Sequence, residues 1–145
     1  MSKTIEIKKR PDGLKITMIE VLAFPMEKPG GGVWDPATVG DFQRPDPFVV
    51  VLGPGSSTLH TTSTQNNVAS PPISWTIVGG LTINPITTDI YTFKLREDDT
   101  PLPIEEMGEV EFKFTDYTTG SDPYPSTITK TQGSVKIKLY VEWLY

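Results

Sequence analysis

Two alternating runs on either side of an acidic loop constrain this chain most. Tyr91, Phe93 and Leu95 alternate with Thr92, Lys94 and Arg96, and the alternation resumes through Val110, Phe112 and Phe114. A period of two gives each run one buried face, so residues 91–114 read as strand, loop, strand. The loop carries Glu97, Asp98, Asp99, Glu105 and Glu106, with no base between Arg96 and Lys113. Its centre, Pro101-Leu102-Pro103-Ile104, is apolar where an exposed tip is expected. Carboxylates crowded this closely repel one another unless something cationic lies among them.

The rest of the chain follows the same pattern. Fourteen prolines and twelve glycines in 145 residues punctuate short runs rich in Val, Ile, Thr and aromatics, which predicts an all-β sandwich. No window of about 12 residues holds a helical stripe. Strands are expected at 14–23 (Leu14, Ile16 and Met18 on one face), 48–52, 91–96, 110–114 and 134–144. Residues 58–64 form a weaker candidate, 74–78 a strand stopped by Gly79-Gly80, 81–85 a short one, and 127–131 is ambiguous. Near the amino terminus, 4–8 alternates and Pro11-Asp12-Gly13 is turn chemistry, so 1–13 reads as an extra strand and turn opening a hairpin. The whole of 1–145 is expected to form one domain, an eight-stranded antiparallel β-sandwich with long loops at 24–45 and 116–126.

Composition narrows the function. A net charge of −5 makes nucleic acid an unsuitable partner. With no cysteine there is no disulfide framework, thiol nucleophile or thiolate metal site. No apolar run reaches the roughly 18 residues of a spanning helix, and Ser2-Lys3-Thr4-Ile5-Glu6 lacks a signal peptide's apolar core. A cytoplasmic or peripheral protein is expected. Catalysis finds little footing. His60 is the only histidine, with no carboxylate or nucleophile beside it, and Gly30-Gly31-Gly32 precedes neither a helix nor a Lys-Ser/Thr pair. The chain reads as a non-enzyme. Trp75 and Trp143 fall at inward phases of their strands, leaving Trp34 available for a ligand.

The order of motifs resembles the C2 domain, the β-sandwich family that binds calcium and phospholipid. Residues 14–25, ending Val21-Leu22-Ala23-Phe24-Pro25, look like that family's opening strand. Asp46-Pro47-Phe48-Val49-Val50 resembles its Asp-Pro-Tyr-Val strand, and Pro72-Ile73-Ser74-Trp75 its Pro-x-Trp, one residue out of register. Phe93-Lys94-Leu95-Arg96-Glu97-Asp98-Asp99 resembles the family's acidic strand end, with Met107-Gly108 opening the next strand. The stretch from Gly133 to Leu139, with Trp143, is similar to its closing strand.

The resemblance implies calcium held between two loops, 33–46 and 97–105. Carried over by position, the ligands are Asp46 in the first loop and Glu97, Asp99 and Glu105 in the second. Gly40 stands where the other first-loop aspartate belongs, so Asp41 (or Asp35) has to substitute. Calcium takes six to eight oxygens, so the loops must converge. Val33, Trp34, Leu102 and Ile104 would then be apolar tips that meet an anionic membrane or a protein partner. The simpler readings stay open: a solvated acidic loop, an Asx-type turn at Asp46, and Trp34 folded back onto the sandwich with Leu102 capping the core. Residues 48–90 contain no Lys or Arg, which argues against a polybasic lipid face, and Lys3, Lys8, Lys9, Arg10 and Lys15 read as a solvated edge.

Two functions are expected from this. One is a non-catalytic module attaching through calcium to an anionic membrane or protein surface. The other is a structural subunit, a homo-oligomer or part of a filament, virion or secretion-type particle, that uses the sandwich without calcium; the chain ends directly after its last expected strand.

Overall fold

The computed structural model describes residues 10–28, 30–32, 34, 44–98 and 104–145. Among these described residues there are eight strands: β1 (Gly13–Ala23), β2 (Pro47–Leu52), β3 (Thr58–Thr61), β4 (Ile73–Ile83), β5 (Tyr91–Glu97), β6 (Glu105–Phe112), β7 (Thr127–Gln132) and β8 (Val135–Leu144). They form two four-stranded antiparallel sheets, ordered β4-β1-β8-β7 and β3-β2-β5-β6. The all-β sandwich expected from the sequence is the fold observed. The expected strand at 4–8, and the hairpin it would open, lie outside the described residues.

The inner faces meet as the alternation requires. Phe93, Leu95, Val110 and Phe112 from one sheet and Leu14, Ile137, Leu139 and Val141 from the other belong to one buried cluster. Rings run along one side of it: Phe93 meets Phe112 edge-on at 5.2 Å, and Phe112 stacks on Phe114 at 6.1 Å. Phe114 lies just beyond β6, in a 3-10 turn, and is still buried. In β2 both phases are buried. Val49 and Val51 enter the core, while Phe48 and Val50 sit opposite Arg96 and Lys94 of β5.

Two strand expectations change. Gly79-Gly80 does not end a strand; β4 runs through it, and the ladder to β1 jumps from Met18↔Thr76 to Ile16↔Leu81. Four β4 residues therefore oppose the single residue Thr17, a bulge that glycines with φ of 79° and 74° accommodate. The β1 ladder to β8 also slips between Ile16 and Met18. A one-residue slip exchanges the faces, so Leu14 and Ile16 are followed inward by Ile19 and Val21, and Met18 is only half-buried.

Side chains seal the sandwich where its sheet edges face each other. Gln132 Oε1 accepts the Glu111 N–H at 2.9 Å, and Lys130 Nζ donates to the Glu111 carbonyl at 2.6 Å. On the opposite side Trp75 Nε1 donates to the Ser63 carbonyl and Gln65 Nε2 to that of Ser74. These bonds satisfy backbone groups that an open strand edge would offer to another chain.

Candidate functional site

The end of β1, the start of β2, the end of β5 and the start of β6 come together at one end of the sandwich. Pro47 pairs with Glu97, and Glu97 with Glu105. The fold thus brings Asp46, Glu97 and Glu105 to one end of the sandwich. Asp41, Asp99, Val33 and Leu102 lie outside the described residues.

What the three carboxylates do there is not what a solvated loop would do. Glu97 is the last residue of β5 and is fully buried. The period that turns Tyr91, Phe93 and Leu95 inward reaches Glu97 at its next step, so the signal for its burial was present in the sequence. A buried carboxylate needs donors, and Glu97 Oε1 accepts the backbone N–H of Asp46 at 3.1 Å. Asp46 is itself a brace. Its Oδ1 accepts the Asn67 N–H at 2.6 Å and its carbonyl accepts the Asp98 N–H at 2.9 Å. Those bonds tie the β3–β4 connection and the end of β5 to the entry of β2, over a range that a local Asx-type turn does not span. Thr64 Oγ1 adds a bond to Asp98 Oδ2 at 3.2 Å.

Glu105 opens β6 and is half-buried, with Oε1 2.7 Å from Lys28 Nζ. Lys28 belongs to the long loop after β1. The cation among the carboxylates is therefore, at this position, a lysine from 77 residues away. Glu106 faces Arg96 at 2.8 Å. The sequence places no base between Arg96 and Lys113, and neither that gap nor the basic residues near the amino terminus pointed to Lys28.

The expected apolar tips separate. Trp34 is 1% exposed and joins the core, with its Nε1 donating to the Pro25 carbonyl at 2.8 Å. This corrects its assignment as a membrane or partner contact, because a buried indole offers no surface. Ile104, by contrast, is 54% exposed beside Glu105. Among the described residues no group of three or more His, Asp or Glu side chains is arranged to hold a metal ion. Glu105 Oε1 faces the Lys28 ammonium there, while Glu97 Oε1 and Asp46 Oδ1 accept backbone amides.

No family model and no curated protein matches the chain by sequence. Solved structures do match by shape. Human GIVD cytosolic phospholipase A2 in complex with methyl gamma-linolenyl fluorophosphonate aligns with a TM-score of 0.56 at 11% identity, over 93% of this chain and 18% of that one. This chain thus spans about a fifth of that enzyme's length. A C2 domain of plant extended synaptotagmin 1 aligns with a TM-score of 0.54 at 14% identity, over 94% of this chain and 99% of the domain.

Proposed function

With a C2-like β-sandwich as the premise, we propose that this chain is a non-catalytic binding module that meets a protein surface and needs no calcium to hold its acidic end together. One observation carries the reading: Lys28 Nζ sits 2.7 Å from Glu105, in the place where a C2-like site would use a metal. Asp46 and Glu97 support it, because their oxygens brace neighbouring backbone. A net charge of −5, with no Lys or Arg from 48 to 90, disfavours an anionic membrane unless cations bridge the two. The buried Trp34 removes the aromatic tip that such a surface would take.

Thermal unfolding with and without millimolar calcium, beside pelleting on phosphatidylserine vesicles, tests this. The expected result is an unchanged melting temperature and no pelleting. A ligand confined to the native state adds about 2.7 kcal/mol at a hundredfold excess over its dissociation constant. A clear calcium shift that Glu97→Gln abolishes would replace this reading with calcium-dependent attachment through Asp46, Glu97, Glu105 and their loops.

The assembly reading has one observation of its own. Val78 is 95% exposed on the bulge of edge strand β4, and Leu59 of edge strand β3 is 39% exposed. Sedimentation velocity decides it: a discrete oligomer that Val78→Ser dissolves would make the chain a structural subunit.

A further inference from the structure

At the end of the sandwich opposite the acidic loops lies a cleft of about 230 Å³. It is lined by Arg10 and Pro11 before β1, Ile86 after β4, and Thr115, Thr118, Thr119 and Tyr124 from the connection after β6. At roughly 30 Å³ per molecule it holds the volume of about eight waters, room for a small polar group.

Its walls are held in place. The Asp12 N–H donates to the Leu144 carbonyl at 2.8 Å and the Ile86 N–H to the Asp12 carbonyl at 3.1 Å, fixing one side. Opposite, buried Phe114 anchors the 3-10 turn Phe114–Tyr117. The Tyr124 N–H donates to the Tyr117 carbonyl at 2.8 Å, and the Tyr124 ring stands edge-on to Trp143 at 5.4 Å. Tyr124 is held at φ 58°, a backbone conformation that bulky residues rarely adopt without being over-determined by their surroundings.

The polar groups lining the cleft are unequal. Thr118 Oγ1 donates its proton to the Thr115 carbonyl at 2.8 Å, so toward the cleft it only accepts. The hydroxyls of Thr115 and Thr119 have no such bond among the described residues, and neither does the exposed Arg10 guanidinium, so all three remain as donors. Asp116, the acid next to Thr115, faces Lys113 at 3.8 Å. A guanidinium fork with two hydroxyl donors presents its N–H and O–H groups in a set that suits the three terminal oxygens of a phosphate monoester. We propose that this cleft, formed by Arg10, Thr115, Thr119 and Tyr124, binds the phosphate group of a small phosphoester or of a lipid headgroup.

The test is an amide chemical-shift titration of the full chain with inorganic phosphate at fixed ionic strength, with acetate as the control anion. The expected result is saturable shifts at Thr115, Thr118, Thr119 and Tyr124, with affinity reduced at least tenfold in Arg10→Ala (about 1.4 kcal/mol) and also weakened in Thr119→Val. Both substituted side chains are exposed, so both variants should melt with the parent. Pelleting on phosphatidic acid vesicles separates the sources. Arg10-dependent pelleting identifies a headgroup, and its absence alongside the shifts identifies a soluble phosphoester. The proposal is overturned if phosphate moves none of these amides, if Arg10→Ala leaves the titration unchanged, or if acetate does the same at equal concentration.

Discussion

Lys28 Nζ and Glu105 Oε1 meet at 2.7 Å, each side chain about a third exposed, and the contact joins the loop after β1 to the first residue of β6. A half-buried pair of this kind is stronger than a surface pair, yet still screened by solvent. Lys28→Met and Glu105→Gln should each cost about 1 kcal/mol, and the double variant less than the sum, leaving a coupling of roughly 0.5–1 kcal/mol. Urea unfolding at low and at molar salt measures it. Strictly additive losses would show that the contact contributes nothing of its own.

Trp34 tests whether the long first loop is packed or projecting. Trp34→Ala should cost about 3–5 kcal/mol, as for other buried large aromatics. Trp34→Phe should lose less, chiefly the bond from Nε1 to the Pro25 carbonyl. Chemical denaturation of the two variants reads this directly. A change below about 0.5 kcal/mol in Trp34→Ala would place the indole in solvent.

Two tyrosines set an alkaline limit. Burial raises the pKa of Tyr91, with the Asp89 charge adding to it, and Tyr117 is raised by burial and then by Asp116. A raised folded-state pKa means that the native chain keeps a proton the unfolded chain has lost. The stabilisation is therefore whole below the unfolded value of 10.0 and is lost as pH climbs from there through the folded values. Melting temperature should fall above pH 10, and Tyr117→Phe should flatten that fall while leaving the neutral-pH behaviour nearly unchanged. An equally steep decline in the double Tyr91→Phe, Tyr117→Phe variant would assign it to other groups.

Several elements were legible because their physics is local. From Tyr91 to Leu95 in β5 and along β8 every second residue is apolar, and a strand with one covered face follows from that alone. The apolar run of β2 correctly implied burial on both phases. Gly79-Gly80 misled for a physical reason. Two glycines look like a stop when read along the chain, but backbone pairing with β1 on either side of them carries the strand through as a bulge. Glu97 was half legible: its phase in β5 marked it for the interior, while its charge suggested solvent.

The sequence by itself determined that this chain is a β-sandwich and that carboxylates gather near the ends of β2, β5 and β6, because period-two patterning and turn residues act over a few positions. Only the tertiary structure decided what those carboxylates and Trp34 do. Lys28 reaches Glu105 across 77 residues, Asp46 finds Asn67 across 21, and Arg10 comes to line the same cleft as Thr119. Such partners are set by which sheet edges and loops close on one another, and no local period encodes that.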